Sequence, residues 1–275
     1  MTQFVDVPCG RIAFEEAGTG SPVVLVPGMG DLRSSYRFAA PRLVAAGYRV
    51  ASMDIRGHGE SGAAWDDFSV GAVGRDILAL VTALGDGPAH VVGNSMAAGA
   101  AVVAAALEPE KIRSVVLVDP FVRDMMPGWA ARLLFGTVLR RPWGPALWRV
   151  FYRKEFASQL PPDFDVEAER VHANLAQRGR FEALRKMATA SKIESERSTA
   201  AVRAPALVVM GSKDPDFAKP EVEAQRVATM VRGSVRMIDG AGHYPQTEMP
   251  DAFVNALMPF FAAADAPHDL VAHGS

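Results

Sequence analysis

Ser95 stands in the pentapeptide Gly93-Asn94-Ser95-Met96-Ala97, between the apolar run His90-Val91-Val92 and a stretch of small residues from Ala97 to Ala106. The pattern reads as a strand, a sharp turn and a helix. A serine hydroxyl on such a turn projects clear of the backbone, beside the free N–H groups and the positive dipole end of the following helix. The residues two before and two after it must be small, because strand and helix pass close together there. Gly93 meets this need, and Ala97 stands where a second glycine is usual. A serine nucleophile also needs a base to accept its proton, and an acid to orient that base and stabilise its cation. His243 lies in the loop Gly240-Ala241-Gly242-His243-Tyr244-Pro245, and Asp214 ends Gly211-Ser212-Lys213-Asp214. Ser, then Asp, then His, each just past an apolar run, is the order expected of three distant residues that converge at the carboxyl edge of a parallel sheet. Acyl transfer further requires donors for an oxyanion. Val26-Pro27-Gly28-Met29-Gly30 ends an earlier run, and the backbone N–H groups of Met29 and Met96 are the expected pair.

The elements that must position these residues follow from the apolar pattern. Strand-like runs occur at Phe4 to Val7, Ile12 to Glu16, Val23 to Val26, Arg49 to Met53, His90 to Val92, Val115 to Val118, Ala206 to Met210 and Val235 to Ile238. The first two, split by Pro8-Cys9-Gly10, read as a hairpin. The others are short, continuously apolar and separated by helical patterns, which signals a mostly parallel sheet of eight strands covered on both faces. The covering helices are expected at Leu32 to Ala46, Val70 to Leu84, Met96 to Glu108, Glu221 to Val231 and Asp251 to Ala263. Roughly eighty residues separate the run ending at Val118 from the one near Ala206, where one helix would suffice. That insert holds Trp129, Trp143 and Trp148, with Phe121, Phe135, Phe151, Tyr152 and many arginines. It reads as a helical cap over residues 121–200, on a core of residues 1–120 and 201–265, with a loose tail at 266–275. Such a cap is expected to set substrate size rather than reactivity, with Trp143 and Trp148 as its aromatic probes.

These features together resemble the α/β-hydrolase-fold serine hydrolases over nearly the whole chain. Besides the serine turn, Asp54-Ile55-Arg56-Gly57-His58-Gly59-Glu60-Ser61 is similar to the D-x-R-G-H-G-x-S segment of that superfamily, where the loop is structural. The resemblance therefore implies that His58 is not the base. Pro27 stands where a histidine often precedes the oxyanion glycine. Some members take their acid after the earlier strand, which makes Asp119 an alternative to Asp214, and Asp216 also lies near. The string Gly-Asn-Ser-Met is similar to that of the meta-cleavage-product hydrolases, which cut carbon–carbon bonds. Those enzymes usually carry a tryptophan after the histidine, where this chain has Tyr244. The resemblance implies cleavage of an ester or lactone with an apolar part. C–C bond hydrolysis, haloperoxidase or perhydrolase activity, and a non-turnover receptor of the same fold remain as alternatives.

Bulk properties bound the rest. The chain has 275 residues, 49% hydrophobic and 22% charged, enough for one large α/β domain with an insertion. A net charge of −2 offers no basic field for nucleic acid, so a small-molecule substrate is expected. The N-terminus lacks a basic start and an apolar signal core, and the longest apolar stretch is too short to span a bilayer. Cys9 is the single cysteine, so there is no internal disulfide, and it is expected as a buried or half-buried residue of an early strand. A reducing cytoplasm is the expected compartment. No phosphate loop, cysteine metal cluster or dinucleotide fingerprint is present, and Gly18-Thr19-Gly20 precedes a strand rather than following one, so no cofactor is implied. The sequence leaves the oligomeric state open.

Overall fold

The computed structural model describes residues 1–157 and 159–266. Eight strands form one sheet: β1 (Gln3–Val7), β2 (Gly10–Ala17), β3 (Pro22–Val26), β4 (Arg49–Met53), β5 (Ala89–Asn94), β6 (Ile112–Val118), β7 (Ala206–Gly211) and β8 (Ser234–Ile238). Their spatial order is β1-β2-β4-β3-β5-β6-β7-β8, antiparallel for the two pairs that involve β2 and parallel from β4 through β8. The carboxyl ends of β3, β5, β6, β7 and β8 therefore lie along one edge of the sheet. This is the doubly covered sheet expected of the sequence.

The helices are α1 (Ala39–Ala45), α2 (Val70–Leu84), α3 (Met96–Leu107), α4 (Gly128–Val138), α5 (Gly144–Lys154), α6 (Phe164–Ala176), α7 (Arg180–Thr189), α8 (Ile193–Ser198), α9 (Pro220–Val231), α10 (Pro245–Glu248) and α11 (Pro250–Asp265). Strand residues alternate between the faces. Val24 and Val26 join a core with α2, α3 and α9, whereas Val23 and Leu25 join one with α1 and α11. Both faces of β3 are thus buried, which explains its unbroken apolar run. Helix boundaries follow local chemistry: the Ser69 side chain accepts the Ala72 N–H at the start of α2, and Gly85 ends that helix with a left-handed backbone.

Two local expectations are corrected. Leu32 to Ala46 is not one helix but a 3-10 turn, Arg33–Tyr36, followed by α1. Pro41 supplies the reason, because a helix running from Leu32 would place it in the interior, whereas in α1 it falls in the tolerated first turn. Cys9 is exposed at the β1–β2 turn with φ 67°, not tucked into a strand. The expected tail at 266–275 lies, but for Ala266, outside the described residues. Among the described residues no helix is long and apolar enough to cross a membrane.

Between β6 and β7 the chain forms α4 to α8. Leu139, Trp148, Tyr152, Phe164, Leu175 and Phe181 make a third apolar cluster there, which rests on Leu32 and Tyr244 at the sheet edge.

Candidate active site

Ser95 links β5 to α3 with φ 57° and ψ −123°, a conformation that L residues adopt only when the surroundings enforce it, at a cost of about 1–3 kcal/mol. The enforcement is visible. Its N–H donates to Val118 O at 2.8 Å, and its carbonyl accepts from the N–H groups of Ala98 and Phe121. At Gly93 a Cβ would collide with the Ala97 carbonyl, the close passage the sequence pattern implied. The residue at 97 tolerates its methyl group and is fully buried.

His243 leaves the loop after β8 and is 3% exposed. Its backbone is held on every side: its N–H donates to Glu155 O, its carbonyl accepts from Asn94 Nδ2 at 3.1 Å, and Glu248 Oε1 accepts the neighbouring Gly242 N–H. The ring Nδ1 lies 2.7 Å from Asp214 Oδ2, just past β7. Nε2 is then the nitrogen left for the serine. Ser95 and His243 line one cavity of about 270 Å³, with Met29, Met96, Phe121, Phe135, Leu147, Trp148 and Phe151. Met96 is the first residue of α3, so its N–H has no intrahelical acceptor, and Met29 follows Gly28 in the loop after β3. A larger groove of about 960 Å³ runs past Arg33, Arg37 and Asn174 and touches neither Ser95 nor His243.

The three carboxylates that the sequence offered as the acid occupy different places. Asp214 alone among the described residues hydrogen-bonds the imidazole. Burial pushes its pKa up, but the His243 charge and hydrogen bond, with help from Asp119 and the Asp216 N–H, bring it below the ordinary carboxylate value. Asp216 Oδ2 stands 3.9 Å from Nδ1, and burial raises its pKa. Asp119, at the end of β6, is fully buried and accepts the Gly211 N–H at 2.9 Å. Burial, and then the Asp214 charge, push its pKa well up.

Sequence reasoning missed Glu155. It follows α5, is 2% exposed, and lies with Asp214, Asp216 and His243 in one cluster whose polar atoms fall within 4.8 Å of each other. Burial, then charge from Asp216 and Asp214 working against that of His243, push it up to about 8. The inserted segment thus places a carboxyl group beside the imidazole. No motif marks this glutamate. Trp143 is also displaced from expectation: it is half-exposed and donates to Thr137 O, while Trp148 lines the cavity. Burial works to lower the His243 pKa, but Asp214, Asp216 and Glu155 outweigh it and hold the ring well above the ordinary imidazole value.

His58 has a different use. It is fully buried, its Nδ1 pairs with Arg56 O at 3.1 Å, and its Nε2 accepts the Gly30 N–H at 2.9 Å. Burial lowers its pKa to about 4, so the ring is neutral and acts as an acceptor that fixes the loop carrying Met29. Arg56 forms a buried two-bond pair with Asp76, and Ser61 Oγ bridges Asp54 O and the Ala13 N–H. The whole Asp54 to Ser61 segment is a structural brace.

Comparison with known proteins matches the chain as a whole. The profile of the alpha/beta hydrolase family covers residues 23–256. The chain belongs to the alpha/beta hydrolase family. A curated relative, the 2-hydroxy-6-oxo-6-phenylhexa-2,4-dienoate hydrolase of Burkholderia cepacia, is 28% identical over 92% of this chain and 91% of its own. Two solved structures share the alpha/beta hydrolase fold. A thermophilic esterase of Thermogutta terrifontis matches with TM-score 0.81 and 23% identity, covering 97% of this chain and 100% of the other. A bromoperoxidase of Bacillus anthracis matches with TM-score 0.83 and 22% identity, covering 95% and 100%.

Proposed function

We propose that this alpha/beta hydrolase is a cofactor-independent serine hydrolase that cleaves an ester or lactone with an apolar acyl or alcohol part. The observation that carries the reading is the shared cavity. Ser95 and His243 stand on its wall, the His243 ring is bonded to Asp214, and the remaining lining is largely aliphatic and aromatic. In this reading residues 1–120 and 201–265 form the catalytic core and residues 121–200 its cap, and the compartment is a reducing cytoplasm.

The Ser95 hydroxyl adds to the substrate carbonyl carbon as His243 Nε2 takes its proton, and Asp214 stabilises the imidazolium through Nδ1–H. The tetrahedral oxyanion accepts from the N–H groups of Met29 and Met96. Collapse breaks the ester bond, and the leaving alcohol takes the proton from Nε2. Water, deprotonated by the same nitrogen, then adds to the acyl-enzyme and releases the acid and Ser95. Asp119, whose pKa burial and the Asp214 charge push well up, is read as a support for the acid rather than the acid itself.

A fluorophosphonate probe tests the nucleophile: it should label the native chain and fail on Ser95→Ala, and labelling that survives the substitution rejects the assignment. Turnover of p-nitrophenyl esters separates an enzyme from a receptor of the same fold. Sustained release after the first equivalent supports hydrolysis, whereas a single burst supports the receptor.

A further inference from the structure

The thirty residues from Met125 to Lys154 contain five arginines and one lysine and no aspartate or glutamate, although the whole chain carries net charge −2. The same segment holds α4 and α5, and both expose large apolar side chains. Trp129 and Leu133, four residues apart on α4, are 67% and 66% exposed. On α5 and the residue before it, Trp143, Leu147, Val150 and Phe151 are all exposed at one helical face. The adjacent face, through Gly144, Trp148 and Tyr152, is the one buried against the rest of the inserted helices. Isolated exposed apolar residues are ordinary, but several large ones on each of two successive helices mark a contact surface.

The geometry points to an anionic phospholipid bilayer as the partner of the α4–α5 face. Tryptophan and phenylalanine interleaved with arginine is the composition of an element that lies in the headgroup region, with rings at the acyl boundary and cations toward lipid phosphates. Arg132, Arg140 and Lys154 have no carboxylate partner among the described residues, so their charge is available to such a surface. A second copy of the chain fits poorly. A symmetric contact would press two net-cationic faces together, since among the described residues only Glu169 of α6, paired with Arg149, offers an acid beside them. Position argues the same way, since Leu147 and Phe151 belong both to the exposed face and to the cavity that holds Ser95. A bilayer docked there would sit at the cavity wall, from which an apolar substrate could partition inward without crossing water.

The test is co-sedimentation of the full chain with vesicles of phosphatidylcholine alone or mixed with phosphatidylglycerol, alongside hydrolysis of a short soluble ester. The native chain should pellet with the anionic vesicles only, with a blue shift of tryptophan emission, and raised salt should release it. The pairs Arg132→Glu with Arg140→Glu, and Trp129→Ser with Leu133→Ser, should each weaken vesicle binding about tenfold or more. None of the four lines the cavity, so soluble-ester turnover and the thermal midpoint should stay unchanged, which separates this inference from the hydrolase reading. Failure to pellet with anionic vesicles would overturn it, as would equal pelleting of the native chain and both double variants. So would a solution dimer that dissociates on Trp129→Ser with Leu133→Ser, since a second copy would then be the occupant.

Discussion

The two walls of the Ser95 cavity are built by different rules. On the sheet side, Ser95, Met96, Phe121, Asp216 and His243 lie in the segments that follow parallel strands, and backbone hydrogen bonds to Val118 and Phe121 tie the Ser95 turn. On the other side, Phe135, Leu139, Leu147, Trp148, Phe151 and Glu155 come from the inserted segment, whose helices pack through an apolar cluster. A ladder of backbone bonds tolerates little change in position, whereas a packed helical layer can be refilled with other apolar residues. The strand-end segments and the helical layer thus differ in what holds them, and Glu155 is a polar group that lies where they meet.

The sharpest way to break this comparison is at the acid. Asn at position 214 keeps the shape but can neither stabilise the imidazolium nor enforce its tautomer, so kcat should fall by about four orders of magnitude. Asp119→Asn should cost only a small part of that, because position 119 reaches the ring through Asp214. Steady-state kinetics on one soluble ester, with thermal midpoints as the check on folding, decides it. If Asp119→Asn were the crippling change, the acid would belong to the earlier strand.

A smaller effect is expected on the helical wall. Leu147→Ala and Phe151→Ala each remove apolar surface from the cavity, and should shift the preference between long and short acyl esters by about tenfold, with little change on an acetate. Equal loss on every substrate would mean that this wall also holds the reacting atoms in place.

The subtlest effect concerns Glu155, where the two walls meet. Once ionised, above about pH 8, its charge is among those that hold the His243 pKa up, so Glu155→Gln should let the imidazolium lose its proton at lower pH. The rising limb of kcat/KM would then move toward acid, and an unmoved limb would make the helical wall purely steric. Stability carries the matching sign. Burial raises the folded-state Glu155 pKa to about 8 from an ordinary 4.5, so its contribution is complete below the ordinary value and is lost as pH rises through about 8. Between about pH 5 and pH 9 the native thermal midpoint should fall relative to that of Glu155→Gln.

What the sequence revealed divides along the same line. Continuously apolar runs such as Pro22–Val26 are legible because both sheet faces bury them, and the turns that follow carry residue types that few other contexts demand. Ser95, Asp214 and His243 could be nominated because each depends on a strand end. Glu155 could not, since its place depends on how α5 lies over the sheet edge, and nothing in Lys154-Glu155-Phe156 encodes that. The break at Pro41 was readable in principle, but the apolar spacing on either side masked it. The relation of Asp119 to Asp214 required the spatial order of β6 and β7, which covalent sequence does not display.

Asn94 adds a mechanical consequence to this division. One side-chain amide grips Val118 O at 3.3 Å and His243 O at 3.1 Å, while its backbone leads directly into Ser95. The turn that bears the hydroxyl and the loop that bears the imidazole are riveted to a common point. Thermal displacement of one therefore drags the other with it, and fluctuations of the two loops are correlated rather than independent. The separation of the two groups should vary less than the position of either, so their alignment survives jostling of the surrounding chain.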